Sequence, residues 1–178
     1  NKTGAIILDV RNQLDFMQGH IPNSIFIGID GGFAPWVGAL IKDVKQPILL
    51  VAPENREAEV IMRLSRVGFD NTLGFLEGGI ASWQSAGKEI DSMQTVSAKT
   101  LEDVLEKGMP IFDVRKHGEF SAAHVPTASH TPLSFINDYL ALFPDASPFY
   151  LYCAGGYRSV IAASILKSRG IHGGINVT

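Results

Sequence analysis

The chain repeats itself. The stretch "ILDVRNQLDFMQGHIPNS" from Ile7 and the stretch "IFDVRKHGEFSAAHVPTA" from Ile111 align without a gap at an offset of 104 residues. Asp9 meets Asp113, Arg11 meets Arg115, Asp15-Phe16 meets Glu119-Phe120, and His20-Ile21-Pro22 meets His124-Val125-Pro126. Further along, "ILLVAPENR" lies against "YLYCAGGYR" at an offset of 102, which sets Val51 opposite Cys153, Arg56 opposite Arg158 and, past them, Gly68 opposite Gly170. A period this long means two homologous units, each of which has to close a core of its own.

Each unit alternates short apolar runs (residues 5–10 and 47–51; 110–114 and 149–152) with helical patterns (57–67 and 159–169). The last of these puts Ile161, Ile165 and Leu166 on one face and stops at Gly170, a residue that tolerates the backbone turn ending a helix. Alternation of strand and helix predicts an α/β fold, each unit a mainly parallel sheet flanked by helices. The polar stretch "KEIDSMQTVSAKT", residues 88–100, reads as the boundary, giving a first domain of 1–90 and a second of 100–178. The lead-in "SAKTLEDVLEKG" has no partner in the first unit, and Thr178 falls opposite Leu76, so edge elements are expected to be missing from both. The chain opens on "NKTGAIILDVR" and reads as a piece of a longer protein.

Composition narrows the class. Hydrophobic residues make up 46% of the chain, enough for packed cores, and the net charge of −3 is spread with no basic block, which argues against nucleic acid as a partner. The apolar stretches fall short of the roughly 20 residues that cross a bilayer. A single cysteine makes no internal disulfide, so a reducing cytoplasm is the expected location.

That cysteine carries the chemical argument. Cys153-Ala154-Gly155-Gly156-Tyr157-Arg158 follows a strand-like run and precedes a helical pattern from Ser159. A strand turning sharply into a helix aims loop amides and the helix's first unpaired N–H groups at one centre, an anion cradle. Adjacent glycines permit the turn. The helix dipole and Arg158 lower the pKa of a thiol placed at its lip, favouring thiolate. Cysteine is also a common apolar filler, but a filler needs neither a glycine pair nor a cation beside it. Cys153 and Arg158 are therefore the expected catalytic side chains, with the backbone of Ala154, Gly155, Gly156, Tyr157 and Ser159 as the cradle.

These residues together, "DVR...EF...HVP" with the Cys153–Arg158 loop and "DVR...DF...GHIP" with "VAPENR", resemble tandem rhodanese homology domains over essentially the whole chain. Ala123 and Thr127 depart from the family pattern, which has Gly before the His and often after the Pro. The resemblance implies a parallel sheet flanked by helices and sulfur transfer: Cys153 takes sulfane sulfur from thiosulfate or a low-molecular-weight persulfide, holds it as a persulfide, and yields it to cyanide, sulfite or a thiol. It implies no cofactor. The order of units also resembles the C-terminal part of fusions in which a metallo-β-lactamase-fold persulfide dioxygenase precedes a degenerate and then an active rhodanese domain, which implies an upstream metal-dependent domain on the same polypeptide.

The first unit reads as silent, with Val51 in place of the nucleophile, Pro53-Glu54 in place of the glycines, and Glu54 and Glu57 adding negative charge. His20, His117, His124, His130 and His172 form no zinc-type pair, and no metal is expected. Asp9, Arg11, Asp113 and Arg115 read as loop braces; Trp36 and Trp83 read as core or domain-contact residues. Two rivals stand beside sulfur transfer. Cysteine phosphatases put five residues between Cys and Arg where this chain has four, Ala154 to Tyr157, and the shorter loop favours sulfur. A non-catalytic regulatory or protein-interaction module is the other.

Overall fold

The computed structural model describes residues 4–145 and 147–178, and the chain divides into two compact units, Asn1–Ser92 and Met93–Thr178. Unit one runs β1 (Ile6–Asp9), α1 (Gln13–Gln18), β2 (Ile25–Phe26), α2 (Phe33–Leu40), β3 (Ile48–Val51), α3 (Glu57–Ser65), β4 (Thr72–Phe75) and α4 (Gly79–Ser85). Unit two runs β5 (Thr95–Val96), α5 (Thr100–Glu106), β6 (Ile111–Asp113), α6 (His117–Ala122), β7 (Ser129–His130), two 3-10 turns (Leu133–Asp138 and Leu140–Leu142), β8 (Phe149–Tyr152), α7 (Tyr157–Ser168) and β9 (Gly174–Val177). The sheets order as β2-β1-β3-β4 and β5-β9-β8-β6-β7, and every pairing between these strands is parallel. The α/β architecture expected from the repeat is present in both. Among the described residues no helix is long and apolar enough to cross a membrane.

Strand β5 lies inside the stretch that reads as a connection, pairing with β9 through Thr95–Asn176 and Val96–Val177. Two residues are too few for an alternation signal. Helix α7 also differs from its expected form. Every residue from Ser159 to Leu166 is buried, not one stripe alone, because the helix lies within its unit's core rather than across its surface. Its Val160, Ile161, Ile165 and Leu166 are at most 2% exposed, and such side chains each contribute about 1.5–3 kcal/mol. The helix ends where the sequence places its stop: Gly170 takes φ of 88°, and the Ile171 amide closes back on the Leu166 carbonyl at 3.0 Å.

One face of each sheet is treated differently. In unit two, Leu101 and Leu105 of α5 pack against Ile111, Tyr150, Tyr152, Val177 and Val125. By repeat and strand register the counterparts in unit one are Ile7, Leu49, Val51, Leu76 and Ile21. These line a cavity of about 160 Å³, with Phe75 and the α4 residue Trp83 on its wall.

Candidate active site

The site of unit two is built at the C-terminal end of β8. The strand delivers its last residue, Tyr152, in register with Asp113, and the next residue is Cys153. The chain reverses through Gly156, whose φ of 79° is left-handed, and enters α7 at Tyr157. Of the glycine pair only Gly156 takes this conformation; a side chain added at Gly155 meets nothing within 4 Å. Ala154 and Gly155 are exposed at the crest of the loop, and Tyr157 is half-buried in the first turn.

Cys153 is a free thiol, partly exposed. Burial pushes it up, but the Ser159 hydroxyl and the backbone N–H groups of Ser159, Gly155 and Arg158 outweigh burial, so the thiol sits below its ordinary value. The Ser159 Oγ lies 3.5 Å from Sγ and 3.0 Å from the Gly156 carbonyl. The hydroxyl donates to the Gly156 carbonyl, and a thiolate at Cys153 would accept from it as well. The Ser159 hydroxyl and the Arg158 amide are contributors that the sequence did not single out.

The Arg158 side chain is not a free cation. Its Nη1 and Nη2 donate to the two carboxylate oxygens of Glu119 at 2.6 and 2.8 Å, and the guanidinium also interacts with Cys153. This fork drives the Glu119 carboxyl down to about 2. Glu119 also accepts the Lys116 amide at 3.1 Å, which caps α6 and fixes the carboxylate in place. The signal for it lay in the repeat: an acidic residue precedes the Phe in both units, as Asp15 and as Glu119.

Behind the loop, Arg115 clamps Asp113 through Nε and Nη2, the latter at 2.6 Å, and reaches the Ala123 carbonyl at 2.7 Å. Arg11 does the same with Asp9 and the Gly19 carbonyl, at 2.7 and 2.8 Å. Each pair ties a strand end to the turn that follows the next helix. The two carboxyls differ. Burial raises Asp9 above its ordinary value; Asp113 feels burial too, but Arg115 and the Tyr152 hydroxyl hold it below. Val51 occupies Tyr152's place in unit one and has no hydroxyl to offer.

That register corrects the sequence alignment. Val51 pairs with Asp9 as Tyr152 pairs with Asp113, and its side chain is 1% exposed, so it is the final strand residue. Ala52, not Val51, is the counterpart of Cys153. The gapless offset, anchored on the glycines that end the two helices, ran through a loop that is one residue shorter: three residues separate Ala52 from Arg56, four separate Cys153 from Arg158. The left-handed position is filled by Asn55, with φ of 63°. A cavity of about 300 Å³ beside this loop is lined by Ala52, Glu54, Glu57, Leu76, Gly78 and Gly79. Arg56 pairs with Asp30 at 2.9 Å and with Glu59 at 2.8 Å.

Three of the five histidines brace the backbone of turns and loops. His20 Nδ1 donates to the Phe16 carbonyl and His124 Nδ1 to the Phe120 carbonyl, both at 2.8 Å, and each ring stacks on that phenylalanine. His130 Nε2 donates to the Arg115 carbonyl at 3.0 Å. Among the described residues, no group of three or more His, Cys, Asp or Glu could hold a metal ion. Trp83 donates to the Glu89 carbonyl at 2.8 Å and, like Trp36, is half-buried.

A family model for the rhodanese-like domain matches residues 1–86 and again 97–177. The putative sulfur carrier protein YrkF of Bacillus subtilis (strain 168) is 32% identical over 72 residues, 40% of this chain. The match spans 39% of that relative's own length. Among solved structures, the human single-domain sulfurtransferase TSTD1 is 27% identical, covering 48% of this chain and 89% of that one, with a TM-score of 0.42. A thiosulfate sulfurtransferase from Pseudomonas aeruginosa is 20% identical and aligns over 97% of this chain and 37% of its own, with a TM-score of 0.42.

Proposed function

The chain belongs to the rhodanese-like domain family, and from that premise we propose that unit two is a sulfurtransferase whose nucleophile is Cys153. The observation that carries this reading is a thiol held below its ordinary value by three converging backbone amides and a serine hydroxyl. The lowered value favours the thiolate, which is the form that attacks. The Cys153 sulfur displaces the leaving group of a sulfane donor, sulfite from thiosulfate or a thiolate from a persulfide, and a Cys153 persulfide forms. Its negative charge then rests on the same amides. A second nucleophile, a thiol, sulfite or assay cyanide, removes the outer sulfur and regenerates the thiolate, so one transfer is split into two displacements. Arg158 stabilises charge at the loop, and the backbone N–H groups of Gly155, Arg158 and Ser159 supply the cradle, on a turn completed by Ala154, Gly156 and Tyr157.

Unit one is the silent partner in this reading, with Ala52 where a thiol would be needed. If the tandem follows a metal-dependent persulfide-oxidising domain, as in the fusions it resembles, sulfite made there is the acceptor at Cys153. A reducing compartment keeps the thiol available. The test is the intact mass of the chain after incubation with thiosulfate or glutathione persulfide. The expected result is a gain of one sulfur atom, removed by cyanide and missing in Cys153→Ser. No gain with either donor would overturn the reading.

A further inference from the structure

The loop's charge bears on which donor it accepts, and the guanidinium that interacts with Cys153, that of Arg158, is already matched by a carboxylate. Both outer nitrogens of Arg158 are engaged by Glu119, at 2.6 and 2.8 Å. The neighbouring guanidinium, Arg115, is engaged by Asp113 at 2.6 Å and by the Ala123 carbonyl. With Cys153 as thiolate, the group formed by Cys153, Arg158 and Glu119 sums to one negative charge. Glu119 cannot easily swing away, because its carboxylate also accepts the Lys116 amide that starts α6.

Thiosulfate brings two negative charges to this loop. A protonated persulfide, R–S–S–H, brings none at its reacting sulfur. We propose that Glu119, by occupying the outer nitrogens of Arg158, is a donor-specificity residue that makes Cys153 accept persulfides and disfavours thiosulfate. The inference rests on the sulfurtransferase reading of Cys153. The favoured step is Cys153–S⁻ + R–S–S–H → Cys153–S–S–H + R–S⁻: the Sγ–S bond forms, the R–S–S bond breaks, and its electron pair leaves on the thiolate of R. No outside oxidant or reductant is needed. Glu119 touches neither donor nor sulfur and acts through Arg158.

The experiment compares kcat/KM for glutathione persulfide and for thiosulfate, with cyanide as common acceptor, in the intact chain and in Glu119→Gln. The glutamine keeps an oxygen for the Lys116 amide but removes the charge. In the unmodified chain the persulfide is expected to be favoured by at least about tenfold. In Glu119→Gln, KM for thiosulfate is expected to fall and its kcat/KM to rise by about tenfold relative to any change in the persulfide value. Equal change for both donors would reduce Glu119 to a structural support and overturn the proposal. Should the variant fail to fold, the donor ratio of the unmodified chain still decides, and thiosulfate equal to or better than persulfide sinks it. Absence of transfer from both donors is a different failure, that of the Cys153 reading itself.

Discussion

The two strand-to-helix loops begin from the same strand register and end as opposite surfaces. In unit two the residue after the strand is a thiol, the turn is made by a glycine, and three amides converge on sulfur. In unit one the residue after the strand is Ala52, the turn is made by Asn55, the loop is one residue shorter, and Glu54 and Glu57 line the cavity beside it. The arginines diverge as well: Arg158 keeps an interaction with the cysteine while pairing with Glu119, whereas Arg56 pairs with Asp30 and Glu59. The lesson is that a parallel sheet supplies a place for an anion site without supplying the site. Loop length and one or two side chains decide whether converging amides meet a nucleophile or a pair of carboxylates.

The harshest way to break this comparison is to move the thiol. In the double variant Ala52→Cys, Cys153→Ser, the new cysteine stands at the structural counterpart of the old one. Sulfur loading from glutathione persulfide, followed by rapid-quench mass spectrometry, is expected to be slower than in the unmodified chain by roughly 10³-fold or more, since removing a nucleophile from its prepared surroundings costs that much or more. A rate within tenfold of the unmodified chain would mean that the position alone makes the site, and that the shorter loop and its carboxylates are irrelevant.

That test would not have been framed correctly from the sequence. The repeat, the strand ends, the stop at Gly170 and the cysteine loop were all legible, because each is written locally: matched motifs, apolar runs, a glycine at a helix end. The counterpart of Cys153 was not, because a gapless alignment counts residues and cannot see that the helix ends and the strand ends are offset differently. Glu119 was visible as a repeated acidic position but not as the partner of Arg158, since the two stand 39 positions apart and only the fold brings α6 beside the loop. The burial of α7 on all sides was hidden for a similar reason: Ser159 and Ser164 sit in its pattern as if solvated, yet both are fully buried and bond to carbonyls of their own helix.

The second comparison is of sheet faces. Ile111 is 2% exposed beneath Leu101 and Leu105, whereas its counterpart Ile7 is half-buried and lines the 160 Å³ cavity. Ile111→Ala is expected to cost about 2–4 kcal/mol, within the range for a fully packed isoleucine, and Ile7→Ala about 1 kcal/mol, because part of its surface is already without neighbours. The chain carries its own probes for the two measurements. Both tryptophans, Trp36 and Trp83, lie in unit one, and the single cysteine lies in unit two. Urea titrations followed by tryptophan fluorescence and by Cys153 labelling therefore separate the two losses. Equal costs would show that the cavity wall in unit one is packed as tightly as the face under α5.

The smallest expected effect concerns one turn. After the Pro of each repeat the backbone goes left-handed, at Asn23 with φ of 63° in unit one and at Thr127 with φ of 69° in unit two. Asparagine tolerates this region; a β-branched threonine does so against its side chain, at a cost of about 1–2 kcal/mol. The other departure from the family pattern carries no such penalty, since Ala123 sits at φ of −165°, extended backbone open to any residue. Thr127→Gly should therefore stabilise unit two by about 1 kcal/mol, the relief being offset in part by the greater freedom of glycine in the unfolded chain. Asn23→Gly should change unit one by no more than a few tenths of a kcal/mol, because asparagine is already suited to the turn. If Thr127→Gly lowers stability instead, the threonine side chain makes contacts worth more than its backbone strain, and the two turns are alike in angle but not in energy.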